Sequence, residues 1–424
     1  MTKKLALFGG EKVREKPYPP HPVIGEEEKR AVMQVLESGQ LSTFIAQSGE
    51  HFLGGKKIRQ FETDFAEYYK IKHAVAFNSA TAALHAAVVA CGVRPGEEVI
   101  VPPYTFTSTA TCVLMHNAIP VFVDVKPDIF CLDPEKMERA ITHRTRAIVP
   151  VHLFGHPADM DEIMAIARKR DLRIIEDCAQ APGAIYKGRH VGTIGDCGIF
   201  SFQETKNIMT GEGGMLITDD GQIAELAQMV RNHGEVVLES QKQRTYRSDI
   251  LGWNYRMTEM EAALGIAQFR KLDQLNSARI ELANYVSQRL AGIDGLTPPV
   301  VYPYAKHVYY VYPIKYHEDD TGIPRDLFVK ALVAEGIPFG AGYVRPLYLN
   351  PIYHENKPFI YRHFGKGISY EKGICPVTEK LHEKELILTP VCRPPATRDD
   401  MDDIVKAIRK ILENKEELSA FQGG

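Results

Sequence analysis

Apolar runs of strand length, interleaved with helical segments, recur between His73 and Thr218. They are His73–Phe77, Glu98–Pro102, Pro120–Val125, Ala147–Val151, the run inside LRIIEDCAQA (Leu172–Ala181), Cys197–Phe202 and Met215–Thr218. Apolar strands without polar alternation need cover on both faces. Their alternation with helices dictates an α/β chain with a doubly wound, mainly parallel sheet. The intervening helices are expected at Ala82–Ala90, ending at Gly92, from near Thr107, and at Asp159–Arg170 and Gln222–His233. Two more, Glu26–Ser38 (closed by Gly39) and Ile58–Tyr69, precede the first strand. A capping box, Thr258 with Glu261, opens a long amphipathic helix expected to continue through Arg289. A second, smaller unit follows, with a strand-like run at Val308–Ile314 and a terminal helix at Arg398–Asn414. The length of 424 residues fits two to three domains. We divide the chain into 1–275, including an irregular, Pro-rich N-terminal arm, and 276–424, a smaller C-terminal α+β domain.

Within this frame two stretches carry chemistry. Glu176 and Asp177 sit at the carboxyl end of an apolar strand, where open α/β sheets bind ligands. Further on, GIFSFQETKNIMTGEGGMLITD places one lysine, Lys206, on a polar connection between two apolar strands, beside Gly211, Gly213 and Gly214. A lysine on a loop is ordinarily just solvated. A desolvated one is a Schiff-base nucleophile, and an acid on the neighbouring strand is the partner that pyridoxal phosphate needs for its ring nitrogen. A close ion pair of that kind gains about 4 kcal/mol at an effective dielectric near 20.

A phosphate needs a home, and Asn78-Ser79-Ala80-Thr81 supplies one. Hydroxyl residues open a helix directly after a strand, so free N–H groups and the helix dipole meet the anion. Simple N-capping by Ser79 or Thr81 explains the same residues. Tyr104 or Phe106 could stack on a ring; the sequence does not choose between them. His152 and His156, just past a strand end, read equally as pocket or structural residues, and Arg345 reads equally as an anion contact or a surface charge.

Composition excludes other classes. Net charge is −3, with 44% hydrophobic and 25% charged residues, so nothing points to nucleic acid or an anionic membrane. Seven scattered cysteines without a CxxC pair read as reduced core thiols, with neither a disulfide framework nor a metal site. The N-terminal apolar run is too short for a signal peptide and no run reaches membrane-spanning length, so the expected location is cytoplasmic. No GxGxxG follows a strand, which removes support for a nicotinamide enzyme.

NSATAALHAA, VHLFGHPADMD, EDCAQAPGA, FSFQETKNIMTGEGG and LGWNYRMTEMEAA, in that order along the chain, resemble the DegT/DnrJ/StrS family of pyridoxal phosphate-dependent sugar and cyclitol aminotransferases. The resemblance runs nearly end to end. It implies fold type I, a homodimer with active sites at the subunit boundary, and residues 1–275 as the cofactor-binding domain. By position, Lys206 would hold the cofactor and Asp177 would face its pyridine nitrogen. Gln180 would hydrogen-bond near the phenolic oxygen. Ser79, Ala80, Thr81 and Ser201 would line the phosphate, Phe106 would stack on the ring, and Asn254 would reach the phosphate from the neighbouring chain. The implied reaction is ping-pong amino transfer from glutamate or glutamine to a nucleotide-linked keto-sugar or a keto-cyclitol. LALFGGEKVR and the loop from Phe44 to Gly55 look most like the cyclitol and aminobenzoate-forming branch. Gln203 and Glu204 depart from commoner variants. The alternatives are a dehydratase relative, which would carry histidine in place of Lys206, and a regulator that keeps the fold without turnover.

Overall fold

A computed structural model describes residues 4–44, 50–235, 247–354 and 367–420. Its centre is a seven-stranded sheet. The strands are β1 (His73–Phe77), β2 (Glu98–Val101), β3 (Ile119–Phe122), β4 (Thr145–Ile148), β5 (Arg173–Asp177), β8 (Cys197–Ser201) and β9 (Gly214–Thr218), with the short hairpin β6 (Ile185–Tyr186) and β7 (Arg189–His190) lying outside it. The order is β1-β9-β8-β5-β4-β2-β3. Strands β3, β2, β4, β5 and β8 run parallel, while β9 is antiparallel to both β8 and β1. The carboxyl ends of β1, β5 and β8 and the start of β9 therefore share one edge.

Burial explains the apolar runs. Every residue of β2, β8 and β9 is buried. Neighbours along a strand serve opposite faces, as a period of two requires. Ile174, Phe200 and Phe202 pack with Phe61, Phe65 and Phe269, whereas Ile175 and Ile199 pack with Val75, Leu84 and Leu216. Phe65 stacks on Phe269 at 4.7 Å between centroids and meets Phe200 edge-on at 5.1 Å.

Helices α1 (Glu26–Ser38), α2 (Lys56–Tyr69), α3 (Ala80–Ala90) and α4 (Ser108–Met115) fall where the sequence places them, α2 and α3 starting two residues early. The Thr258–Glu261 capping box forms. The helix it opens does not run unbroken to Arg289. It stops at Phe269, and a second helix, Leu272–Leu290, begins after Arg270 and Lys271. At the break, the Lys271 ammonium is drawn to Glu28 at 2.7 Å and Glu27 at 3.2 Å on α1.

Beyond the break, β10 (Leu296–Thr297), β12 (Tyr312–Tyr316), β14 (Leu386–Thr389) and β13 (Gly340–Ala341) make an antiparallel four-stranded sheet. The strand expected at Val308–Ile314 is displaced toward the C-terminus. Its core joins Tyr312 and Ile314 to Phe328, Ile404 and Ile408 from the helices Arg325–Ala334 and Arg398–Glu413. The strand β11 (Ala305–Lys306) pairs with β6. The N-terminal arm lies over this region. Leu5 is buried in its core, the Glu335 carboxylate accepts from the Ala6 and Val13 N–H groups, and Arg14 pairs with Asp400 and Asp403, each at 2.9 Å. Part of the loop from Phe44 to Gly55, residues 45–49, lies outside the described residues.

Candidate active site

Strand β5 ends in two carboxylates that face opposite ways. The Glu176 side chain turns into the protein, where its oxygens accept from the N–H groups of Gly192, Ile194 and Gly195 and lie 3.0 Å from His152 Nε2. Burial opposes its charge, but His152 and these N–H groups outweigh burial and hold the carboxyl below its ordinary value. His152 Nδ1 accepts from the Ala158 N–H, so this histidine is structural. His156 is also buried, with Nδ1 2.7 Å from the Pro157 carbonyl oxygen. Cys178 joins His152 and Glu176 in a cluster whose potential ligand atoms lie within 4.8 Å of each other, but the histidine and carboxylate atoms are already committed to hydrogen bonds.

Asp177, one residue on, turns into a cavity of about 440 Å³. It is 3% exposed. Its Oδ2 accepts from Thr109 Oγ1 at 2.8 Å and its Oδ1 from the Ala179 N–H at 3.1 Å. Burial raises its pKa, and these two donors and the charge of Lys206 only partly offset that. A cation placed against Asp177 from the cavity side would favour the ionised form.

Lys206 lies on the connection between β8 and β9, which is tied across its neck by Phe202 N–H to Gly213 O at 2.9 Å and Thr210 N–H to Phe202 O at 2.8 Å. Its Nζ stands 4.3 Å from the centre of the Tyr310 ring, and the Tyr310 hydroxyl is 2.9 Å from Thr205 Oγ1. The glycines have separate reasons. Gly211 takes φ +85°, where side chains are strained. At Gly214, a Cβ would fall 2.5 Å from the Ser79 carbonyl and 2.6 Å from the Ala80 nitrogen. Only glycine lets β9 pass so close beneath the start of α3.

That start is built as an anion cradle. Ser79 caps α3 by accepting from the Ala82 N–H at 3.1 Å. The first-turn N–H groups of Ala80 and Thr81 have no intrahelical acceptor and lie at the cavity. Ser201, at the end of β8, lines the same wall. Phe106 also lines the cavity and is 57% exposed, whereas Tyr104 is fully buried behind it, its hydroxyl accepting from the Tyr343 N–H at 2.9 Å. The structure thus separates two aromatics that the sequence left equivalent. Gln180 is fixed at both ends, accepting from the Phe154 N–H at 2.9 Å and donating to the Tyr343 hydroxyl at 3.1 Å.

One cavity therefore gathers Ser79, Ala80, Thr81, Phe106, Asp177, Gln180, Ser201 and Lys206. Asn254 is not among its walls. It is exposed, accepts from Arg256 Nε at 2.9 Å and meets Asn78 through its carbonyl at 3.5 Å. Arg345 is exposed and also outside the walls. Thr109, Tyr310, Tyr343 and His21 were not singled out from sequence. Thr109 lies two residues beyond the start expected for its helix. Tyr310, Tyr343 and His21, whose Nε2 lies 3.3 Å from the Lys206 carbonyl oxygen, carry no local signal, because only tertiary folding brings them here. A groove of about 520 Å³ between α2 and β1 is larger, but it is an open surface between charged side chains, far from these groups in the fold.

The cavity fits pyridoxal phosphate. Its volume is within the range of small-molecule sites. The donors at the start of α3 suit a phosphate, the buried Asp177 suits a protonated ring nitrogen, and Lys206 is the amine that would bind an aldehyde.

The family model described as DegT/DnrJ/EryC1/StrS aminotransferase family matches residues 22–409. Over 441 aligned positions the chain is 35% identical to L-glutamine:scyllo-inosose aminotransferase of Streptomyces griseus, covering 99% of this chain and 100% of that protein. It is 42% identical over 300 positions to GDP-perosamine synthase of Caulobacter vibrioides, covering 70% and 79%. The solved aminotransferase of Psychrobacter cryohalolentis superposes with a TM-score of 0.84 at 33% identity, covering 94% of this chain and all of that one.

Proposed function

The chain belongs to the DegT/DnrJ/EryC1/StrS aminotransferase family, and on that premise we propose that it transfers an amino group from glutamine or glutamate to a keto-sugar or keto-cyclitol, with pyridoxal phosphate held on Lys206. The observation that carries this reading is the pairing of a buried, under-neutralised Asp177 with Lys206 in one cavity, beside the anion cradle of α3. The names of the relatives support both acceptor classes and favour glutamine as donor for the cyclitol branch. Transfer to a nucleotide-linked sugar or to a free cyclitol uses the same protein groups.

When bound, pyridoxal phosphate supplies an aldehyde that condenses with amines and a ring that accepts electrons. The Asp177 carboxylate would hold the ring nitrogen positive, and Thr109 and the Ala179 N–H orient that carboxylate and favour its ionised form. The Ala80 and Thr81 N–H groups and the Ser79 and Ser201 hydroxyls would hold the phosphate. Phe106 would cover the ring, and Gln180, held by the Phe154 N–H and the Tyr343 hydroxyl, would be the amide near the phenolic oxygen. Lys206, lining the cavity, would be the amine that holds the cofactor and, once free, the general base that moves the proton at the donor α-carbon. The acceptor half-reaction reverses these proton movements, so the kinetics are ping-pong.

The working unit in this proposal is a homodimer in which Asn254 reaches the phosphate of the neighbouring subunit. Residues 1–275 are the cofactor-binding domain and 276–424 the smaller one. The seven buried, unpaired cysteines accord with a reducing, cytoplasmic setting. Among the described residues no helix is long and apolar enough to cross a membrane. The test is an absorbance titration of the purified protein. The visible band of the bound cofactor should bleach with glutamine or glutamate and return with a keto-sugar or keto-cyclitol. A band that no amino donor bleaches would overturn the reading.

A further inference from the structure

The turn that carries Lys206 also presents a side chain whose orientation is fixed. The Lys206 N–H donates to the Gln203 carbonyl oxygen at 2.9 Å, so the two residues are the ends of one turn. Gln203 lines the same cavity as Lys206. Its side-chain oxygen accepts from the Thr205 N–H at 2.9 Å and from Thr205 Oγ1 at 2.6 Å. A backbone N–H only donates, so this end of the amide is the oxygen and the other end is the NH2 group. With its own proton given to Gln203, Thr205 Oγ1 takes the Tyr310 hydroxyl proton at 2.9 Å, which ties the chain to a second wall of the cavity. Among the described residues the Gln203 NH2 group has no acceptor. Across the neck of the turn Gln203 forms a β-bridge with Gly211, and the next residue, Glu212, lines the cavity too. Glu212 is exposed, and its carboxylate has no cation or hydrogen-bond donor among the described residues.

A donor held this firmly beside an unpaired carboxylate is selective. The carboxylate repels a second carboxylate or a phosphate, so an anion is a poor partner for the NH2 group. A hydroxyl suits both groups, because its oxygen accepts while its proton is donated. We propose that Gln203 is a specificity-determining residue, its amide donating to a hydroxyl on the carbon beside the acceptor's carbonyl while Glu212 takes a hydroxyl proton. The proposal rests on the aminotransferase reading. The carbon that receives the amino group must come within reach of Lys206, so groups on the neck of its turn meet the neighbouring carbons rather than a remote nucleotide. Keto-sugars and keto-cyclitols carry hydroxyls there. Glutamine and glutamate carry none, so the amino donor enters the same cavity without using this contact. Thr205 sets the amide in advance, so little rotamer freedom is lost when the hydroxyl binds.

Gln203→Met keeps the length of the side chain and removes the NH2 group, and the exposed Thr205 is left to water. On the cofactor-loaded protein, donor rates are read from the loss of the visible band and acceptor rates from its return. The acceptors are scyllo-inosose, which has a hydroxyl on each carbon beside its carbonyl, its two deoxy analogues, each lacking one of those hydroxyls, and a nucleotide-linked 4-keto-sugar with its 3-deoxy analogue. For the hydroxylated acceptor that the native protein uses, the second-order rate constant should fall about 3- to 10-fold, the worth of one neutral hydrogen bond. A deoxy analogue of that acceptor and the donor half-reaction should stay within about twofold. Calorimetric affinity for the acceptor's reduced alcohol, which binds without reacting, should fall with the rate. An equal loss with every deoxy analogue and with the donor would mean that Gln203 only holds the Lys206 turn, and would overturn the proposal. Unchanged kinetics with the hydroxylated acceptor would overturn it too, as would a native band that bleaches with donor and returns with none of these acceptors. A native band that no donor bleaches defeats the aminotransferase reading, and the proposal with it.

Discussion

Thr109 Oγ1 donates to Asp177 Oδ2 at 2.8 Å, and among the described residues that hydroxyl is the one side-chain hydrogen-bond donor to this buried carboxylate. The pair defines what Asp177 can do. With the Ala179 N–H it keeps the carboxylate oriented toward the cavity, and the missing countercharge is what a protonated ring would supply. Asp177→Asn should lower kcat by about a thousandfold, the equivalent of a ~4 kcal/mol ion pair. Thr109→Val should cost about 1 kcal/mol, or roughly fivefold, and raise the pH at which activity appears. Steady-state kinetics across pH check both. Equal activity of Asp177→Asn would contradict the assignment.

Gly214 tests the cradle. A methyl group there meets the backbone of Ser79 and Ala80 at about 2.5 Å, and backbone cannot step aside as a flexible side chain can. Gly214→Ala should destabilise the protein by about 1–3 kcal/mol and weaken cofactor affinity more than it alters kcat at saturating cofactor. Thermal unfolding and cofactor titration measure the two effects.

Glu176 predicts an acid-side stability term that the neighbouring Asp177 does not share. Its folded pKa lies below the ordinary carboxyl value. A depressed acid stabilises fully above its unfolded pKa, near 4.3, and loses that contribution as pH falls through the lower folded value. Glu176→Gln should cost about 2–3 kcal/mol at neutral pH. The gap from the native protein should close as the pH drops below about 4. Urea unfolding at a series of pH values gives the curve. A gap that widens in acid would reverse the sign and refute the account.

Asn254 tests assembly. If it serves the neighbouring subunit, inactive Lys206→Ala and Asn254→Ala proteins complement each other, because a mixed dimer contains one complete site. Random mixing in equal amounts should restore about a quarter of native activity. No recovery after subunit exchange would place Asn254 outside the partner's site.

The fold was legible because its signals are local. Apolar runs such as Cys197–Phe202 need two covered faces, and the glycines at 92 and 39 end their helices as read. The break at Arg270–Lys271 was hidden, because its attractor, Glu28, lies on a helix over 240 positions earlier. Lys206, Asp177 and the Ser79–Thr81 turn announce themselves by residue type at a strand end. Tyr310, Tyr343 and His21 do not, because each sits in unremarkable sequence and reaches the site through tertiary packing. Residue type alone left Phe106 and Tyr104 equivalent, since both follow β2; the family resemblance pointed to Phe106, and burial separates the two in the structure.

The most direct measurement is to reduce the cofactor-loaded protein with borohydride and locate the added mass by peptide sequencing. The account predicts pyridoxyl phosphate on the ε-amine of Lys206, and none after prior exposure to an excess of amino donor. Label on another lysine, or no label on a protein that carries the cofactor, would contradict it.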